Sequence, residues 1–295
     1  MLRIYEKEMM AMGYRKSIVR EVFDVLHSMA AYGCSKHEDK KQNGNKPRMD
    51  RIYSYSTMKN YLDCAQRFAR WARAEHGCRT IADARRFVPV YLSQRMRSDK
   101  SPSTLHTDCA ALAKLYQCTM KSFGVSLPKR KRADVKQHRQ NKEKGHFSEK
   151  KHVDLKALGR SVGARVSEAR RMSPDDVWQT ANGLTKVRIK GKGGKIRVVT
   201  ALDDTPLRLA QKAASEGRNR LIEHIPSYTP FHVWRAEFAQ ALYEKYARDP
   251  ALLSDGERYV CRAERKGTVY DRRAMRIVSK MLGHNRLSVV TSYIK

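Results

Sequence analysis

A histidine and a tyrosine nine residues apart, His284 and Tyr293, stand in the final stretch HNRLSVVTSYIK. Upstream lie three groups that can serve them: Arg165, Lys192 and the pair His232-x-x-Arg235. Together these side chains meet the needs of a displacement at a phosphodiester. A phenol, with an ordinary pKa near 10, must lose its proton to attack phosphorus. The extra negative charge of the transition state must be neutralised, which two guanidinium forks can do. The departing 5′ oxygen must be protonated, work suited to a lysine or a histidine. The set reads as a site for cutting and rejoining a DNA strand through a tyrosine.

Each residue alone also has an ordinary explanation. Arg165 lies beside Val162, Val166 and Ala169, which share one face if a single helix spans them, and an arginine next to a buried face needs an anion. That anion is either a phosphate or an internal partner such as Glu168. Lys192 sits at the glycine-rich tip Gly191-Lys192-Gly193-Gly194, where lysines are usually solvated. A tip can equally deliver a proton donor into a DNA groove. His232 and Arg235, at helical spacing i and i+3, can share one phosphate, or simply be polar residues at a helix start. His284 after Leu282-Gly283 can be a cap or a surface residue, and Tyr293 a packing residue.

Composition points to the partner. The chain has 61 Lys and Arg against 30 Asp and Glu, a formal net charge of +31, which repels itself unless it meets a polyanion such as a phosphate backbone. No apolar run is long enough to span a bilayer and no secretory signal pattern is present. The expected setting is the cytosol or nucleoid, with no membrane partner. The 295 residues, 41% of them hydrophobic, have room for two domains with real cores. Six cysteines stand singly, without zinc spacing, and read as reduced thiols, with neither metal nor disulfide expected. No GxxxxGK[ST] phosphate loop suggests an NTPase.

The elements that must position the site follow from periodicity. Residues 14–33 carry Ile18, Val22, Val25, Leu26 and Met29 at helical spacing. A polar loop is predicted over about 35–51. A helix begins near Ser54 or Ser56, with Tyr61, Cys64, Phe68 and Trp71 on one stripe that reads as core rather than as a base-stacking platform. A third helix is predicted over about 81–97, and a fourth from Ser101-Pro102 to about Phe123. Residues 128–146 (PKRKRADVKQHRQNKEKGH) have almost no apolar character and read as a tether. Its Lys129, Arg130, Lys131 and Arg132 are candidates to lie along a duplex. Beyond it come a short helix over about 149–158 and strands at 177–180, 184–190 and 195–200. Helices follow at about 204–217, 232–247 and 270–281, and a final short helix carries Tyr293. The expected architecture has two domains: an all-α N-terminal bundle, and a mainly α (α+β) unit with a small antiparallel sheet. The boundaries are 1–127, a basic linker at 128–147, and 148–295.

These residues resemble the tyrosine recombinase, or phage integrase, family. GARVSEARRMSPDDV is similar to its first arginine box, KGKGGKIRVV to its catalytic-lysine hairpin, HVWRAEFAQALY to its His-x-x-Arg box, and MLGHNRLSVVTSY to its nucleophile box. The resemblance covers about 148–295, and more loosely the N-terminal half, where IYSYSTMKNYLDCAQRFARWA and SPSTLHTDCAALAKLY look like the helical core-site DNA-binding domain, a SAM-like bundle. It implies that Tyr293 is the nucleophile forming a 3′-phosphotyrosyl link. Arg165 and Arg235 would then clamp the scissile phosphate, Lys192 would act as general acid, and His232 and His284 would complete the site. No cofactor, ATP or metal is implied. The implied partners are double-stranded DNA recombination sites, with four protomers on two DNA segments, and an accessory DNA-bending or directionality factor is possible in such systems. The implied function is the integration or excision of a mobile element.

Three departures stand out. Only Ile294 and Lys295 follow Tyr293, where the family usually has a further helix docking on a neighbour, so either the chain is truncated or its protomers communicate otherwise. Ala236 follows Arg235 where many relatives have His. And 48 residues separate Arg235 from His284, the excess lying around Ala247–Thr268, read as a surface insertion that contacts a protomer or DNA. The readings from other classes are a catalytically silent DNA-binding accessory factor with the same fold, a relaxing topoisomerase and a basic RNA-binding protein.

Overall fold

The computed structural model describes residues 16–131, 147–191, 194–226, 229–262 and 265–294. The chain divides into two compact units, Met1–Val135 and Lys136–Lys295. Mostly helical, it carries a small antiparallel sheet in the second unit.

Among its described residues, the first unit has the helices α1 (Ile18–Ser28), α2 (Lys36–Gln42), α3 (Tyr55–His76), α4 (Ile81–Ala84), α5 (Val88–Arg97) and α6 (Pro102–Leu115). In α1, Ile18, Val22 and Leu26 bury one stripe, as their spacing requires. Helix α3 starts where the hydroxyl of Ser54 accepts from the Thr57 amide and ends at Gly77 in the left-handed region. Phe68 is 1% exposed, and Trp71 packs against the same core, so the aromatic stripe is core. The predicted 35–51 loop contains α2, which buries none of its residues. Caps hold it instead: Ser35 accepts from Glu38 N, acids fill the first turn and lysines the last. Tyr53 and Arg51 then bind its Asp39. The predicted 81–97 helix is interrupted by a 3-10 turn at Arg85–Phe87, and the fourth helix stops at Leu115, well short of Phe123.

The second unit has α7 (Val153–Val162), α8 (Val166–Ala169), α9 (Thr205–Ser215), α10 (Phe231–Tyr246) and α11 (Arg272–Leu282). Its three-stranded antiparallel sheet runs β1 (Val177–Gln179), β2 (Thr185–Lys190), β3 (Ile196–Thr200), in that order. Val187 and Ile189 of β2 and Val199 of β3 face the core, the two-residue period of a half-buried sheet. A second hairpin pairs β4 (Arg258–Val260) with β5 (Val269–Asp271), strands that lie in and beside the stretch read as an insertion. Helix α10 packs on both α7 and α11, with Trp234 and Phe238 fully buried between them. No helix among the described residues is long and apolar enough to cross a membrane.

Candidate active site

The expectation of one helix through Val162, Val166 and Ala169 fails at Gly163. That residue ends α7 with φ +57, and a Cβ there would lie 2.3 Å from the Phe238 ring. Only glycine satisfies both demands. The chain leaves the helix, and Arg165 is extended (φ −84°, ψ 155°) as the residue before α8. Glu168, one turn on, accepts from the Arg165 amide at 2.9 Å and from its Nη1 at 2.7 Å. The internal-partner reading of Arg165 is therefore met, while its side chain keeps a third of its surface exposed.

Glu168 holds a second arginine that the sequence reading missed. Arg197 on β3 donates from Nη1 and Nη2 to the two Glu168 oxygens at 3.0 and 2.8 Å, and from Nε to the Met281 carbonyl at 2.8 Å. It thereby ties the lysine hairpin's return strand to the end of α11. The signal was available: Arg197 has the same strand parity as the buried Val199, and an arginine on a core face demands a carboxylate. Burial alone would raise the Glu168 carboxyl. The hydrogen bonds from Arg197 and from the Arg165 amide overcome that and hold it down at about 2.

Arg235 lies in the first turns of α10 and is 0% exposed. Its guanidinium donates to the Gly163 carbonyl, to the Leu282 carbonyl at 2.6 Å, and to His284 Nε2 at 3.2 Å. Those two carbonyls are the C-terminal ends of α7 and α11, where the helix dipoles are negative. Each helix is closed there by a left-handed glycine, Gly163 or Gly283. Arg235 has no carboxylate partner among the described residues. Burial and the nearby Arg165 cation lower its pKa, with Tyr293 acting in the opposite sense. Around one carboxylate, Glu168, the site thus gathers three guanidinium groups.

His284 follows Gly283, whose would-be Cβ meets the Arg197 side chain at 3.1 Å. Its amide donates to the Ser279 carbonyl at 2.8 Å. Burial first, then the charges of Arg235, Arg165 and Arg197, push the imidazole down to about 4, so it is neutral at pH 7. A guanidinium can only donate, so Nε2 accepts and the ring proton sits on Nδ1. That Nδ1 is buried without a hydrogen-bond partner, a donor in want of an acceptor. In a proton NMR titration the His284 ring should change near pH 4. A midpoint near the ordinary 6.5 would show that the ring is solvated and the three cations remote.

Tyr293 comes just after a 3-10 segment, Leu287–Ser292, rather than inside a helix as expected. It is 8% exposed. Its ring centroid is 5.3 Å from that of His284 and 5.6 Å from Arg235 Cζ. The structure therefore gathers Arg165, Arg235, His284 and Tyr293 with Arg197 and Glu168. His232 is exposed at the start of α10. The i, i+3 spacing does not give it the environment of Arg235, which is fully buried. Lys192 lies outside the described residues, as does Arg132. Lys129, Arg130 and Lys131 are exposed on irregular chain at the end of the first unit. Between Arg165, Lys195, Arg197 and Gly283 is a cavity of about 80 Å³. A cleft of about 530 Å³, bordered by Lys195, Arg276, Lys280 and His284, lies beside it. No carboxylate among the described residues lines either space.

No family model matches the sequence, and no curated protein matches it. Solved structures do. The XerH site-specific recombinase bound to palindromic difH substrate, in a post-cleavage complex, aligns with TM-score 0.55 at 15% identity, over 94% of this chain and 90% of that one. The same recombinase in its pre-cleavage complex aligns with TM-score 0.51 at 15% identity, over 94% and 91%. With likeness over nearly the whole of both chains, this protein has the fold of the tyrosine recombinases.

Proposed function

We propose that this protein is a site-specific DNA recombinase that cleaves and rejoins strands through a 3′-phosphotyrosyl intermediate on Tyr293. The observation that carries the reading is Arg235: a fully buried cation whose hydrogen-bond partners among the described residues are all neutral, beside the Tyr293 ring. A buried charge without a counter-ion is costly, and a phosphate oxygen between Arg235 and Arg165 would supply one. The neutral His284, whose Nε2 accepts from Arg235, holds that guanidinium at the site.

In the reaction the Tyr293 Oη attacks phosphorus, the P–Oη bond forms and the P–O5′ bond breaks. Lys192 gives its proton to the departing 5′ oxygen, and His232 takes the proton of the phenol. The energy of the phosphodiester stays in the phosphotyrosine, so a 5′ hydroxyl from another strand can reverse the step. The N-terminal helical unit binds the duplex, and the basic stretch from Lys129 to Arg132 lies along it. Four protomers on two DNA segments carry out the exchange in the bacterial cytosol, integrating or excising a mobile element, with an accessory factor where direction must be set.

The test uses a pool of nicked duplexes of randomised sequence in EDTA. Wild-type protein should give an SDS-resistant protein–DNA adduct, and its DNA affinity should fall steeply with salt. Salt-sensitive binding without an adduct would favour the accessory-factor reading. That reading has its own support in the Arg165–Glu168 ion pair and the burial of Tyr293. A flat salt response would remove DNA as the partner.

A further inference from the structure

The stretch read as a surface insertion folds back on its own chain. Its β4–β5 hairpin is anchored at the base by a polar network. Arg248, just beyond α10, donates to both oxygens of Asp271 and to Glu257. Asp271 is fully buried, caps α11 by accepting from the Arg273 amide at 2.8 Å, and donates its own amide to the Tyr243 hydroxyl at 2.9 Å. The Arg272 amide reaches the Glu257 carbonyl at 2.8 Å. Tyr270 on β5 and Cys261 beside β4 join the main core. A hairpin tied at its base and packed along its side is a firm platform for its loop.

The loop carries Arg265, whose carbonyl accepts from the Thr268 amide at 3.0 Å to close a turn. Its Nη1 lies 2.7 Å from the Thr291 carbonyl, 3.1 Å from the Ile294 carbonyl and 3.2 Å from the Tyr270 hydroxyl. The two carbonyls flank Tyr293. Thr291 is in the last turn of the 3-10 segment, where carbonyls lack partners within the helix and a cation is favoured, and Ile294 lies just beyond its C-cap. The amides of Tyr293 and Ile294 already donate to the Val290 carbonyl, at 2.8 and 3.3 Å. Upstream bonds and Arg265 together fix the backbone on both sides of the tyrosine.

We propose that Arg265 is a positioning residue for the nucleophile: from the hairpin of the same chain it sets the Thr291–Ile294 backbone so that the Tyr293 phenol meets the phosphate held by Arg165 and Arg235. The proposal rests on Tyr293 being the nucleophile. It follows from geometry that a displacement tolerates little misplacement, a shift of about 1 Å costing on the order of 100-fold in rate.

The test compares wild type, Arg265→Ala and Arg265→Lys with the same pool of nicked duplexes, at saturating DNA. Arg265→Ala should form adduct about 10- to 100-fold more slowly, with affinity within about twofold. Hydrogen exchange at the Tyr293 and Ile294 amides should quicken while α10 and α11 keep their protection. Arg265→Lys should recover part of the rate, because an ammonium can donate to the same carbonyls; it also stands in should the alanine variant fail to fold, with a loss of rate smaller than that of affinity counting against the proposal. Wild-type rates in Arg265→Ala, or a loss of affinity that accounts for the loss of rate, would overturn the proposal while leaving Tyr293 as nucleophile. No adduct from wild type would remove the strand-exchange reading itself, and this assignment with it.

Discussion

Tyr293→Phe should reduce covalent adduct to background, a loss of at least about 1,000-fold by analogy with removal of other enzymatic nucleophiles, and leave DNA affinity within about twofold. The phenyl ring can occupy the same place, since Tyr293 is 8% exposed and its ring is set against His284 and Arg235. What is lost is one hydroxyl, and affinity for DNA is set chiefly by charge on phosphate. The variant therefore separates chemistry from binding, read by an SDS gel for the adduct and by fluorescence anisotropy for affinity. Adduct at the wild-type level would assign the nucleophile elsewhere. Lost affinity would make Tyr293 a structural residue.

Glu168→Ala should cost about 3–5 kcal/mol of folding free energy, the range for breaking a buried ion pair from one side. Glu168 is 2% exposed and is the carboxylate shared by Arg165 and Arg197. Removing it leaves Arg197, 7% exposed at its side chain, with only the Met281 carbonyl. Against a typical total of about 5–15 kcal/mol, such a loss is large. The pH dependence has a definite sign. Glu168 titrates near 2 in the folded protein, below its unfolded value near 4.3. Its stabilisation is complete above the unfolded value and fades as pH falls toward 2. His284, held near 4 rather than 6.5, adds a loss of stability in the same direction, beginning below about 6.5. Urea unfolding at pH 7 and pH 4 should show wild type weakened by acid, and Glu168→Ala weakened at both pH values with a smaller difference between them. Unchanged stability at pH 7 would mean that the arginines find other acceptors.

What could be read in the sequence was what local patterning encodes. Alternation located β2 and β3, and the Ser54 cap located the start of α3. The order of the boxes singled out Arg165, Arg235, His284 and Tyr293, four residues that the fold then gathered. What escaped depends on contacts between distant segments. Helix α2 has no apolar stripe, so only its caps and its Asp39 contacts mark it. The break at Gly163 reflects the nearness of Phe238, some 75 residues away. Arg197 looked like one more cation in a basic hairpin until Glu168 and Met281 were seen beside it. The β4–β5 hairpin is too short for a strong alternation signal, and its hold on the Tyr293 backbone is tertiary. His232 is exposed where Arg235, three residues on, is fully buried, a difference in environment that spacing alone does not encode.

The most direct test of the central claim is peptide mapping of the adduct. Trypsin should release residues 287–295, LSVVTSYIK, because Arg286 precedes them. After nuclease trimming, tandem mass spectrometry should place a nucleoside 3′-phosphate on Tyr293 of that peptide, with a free 5′ hydroxyl on the other DNA end. Label on any other residue, or a 5′-phosphate attached to the protein, would contradict it.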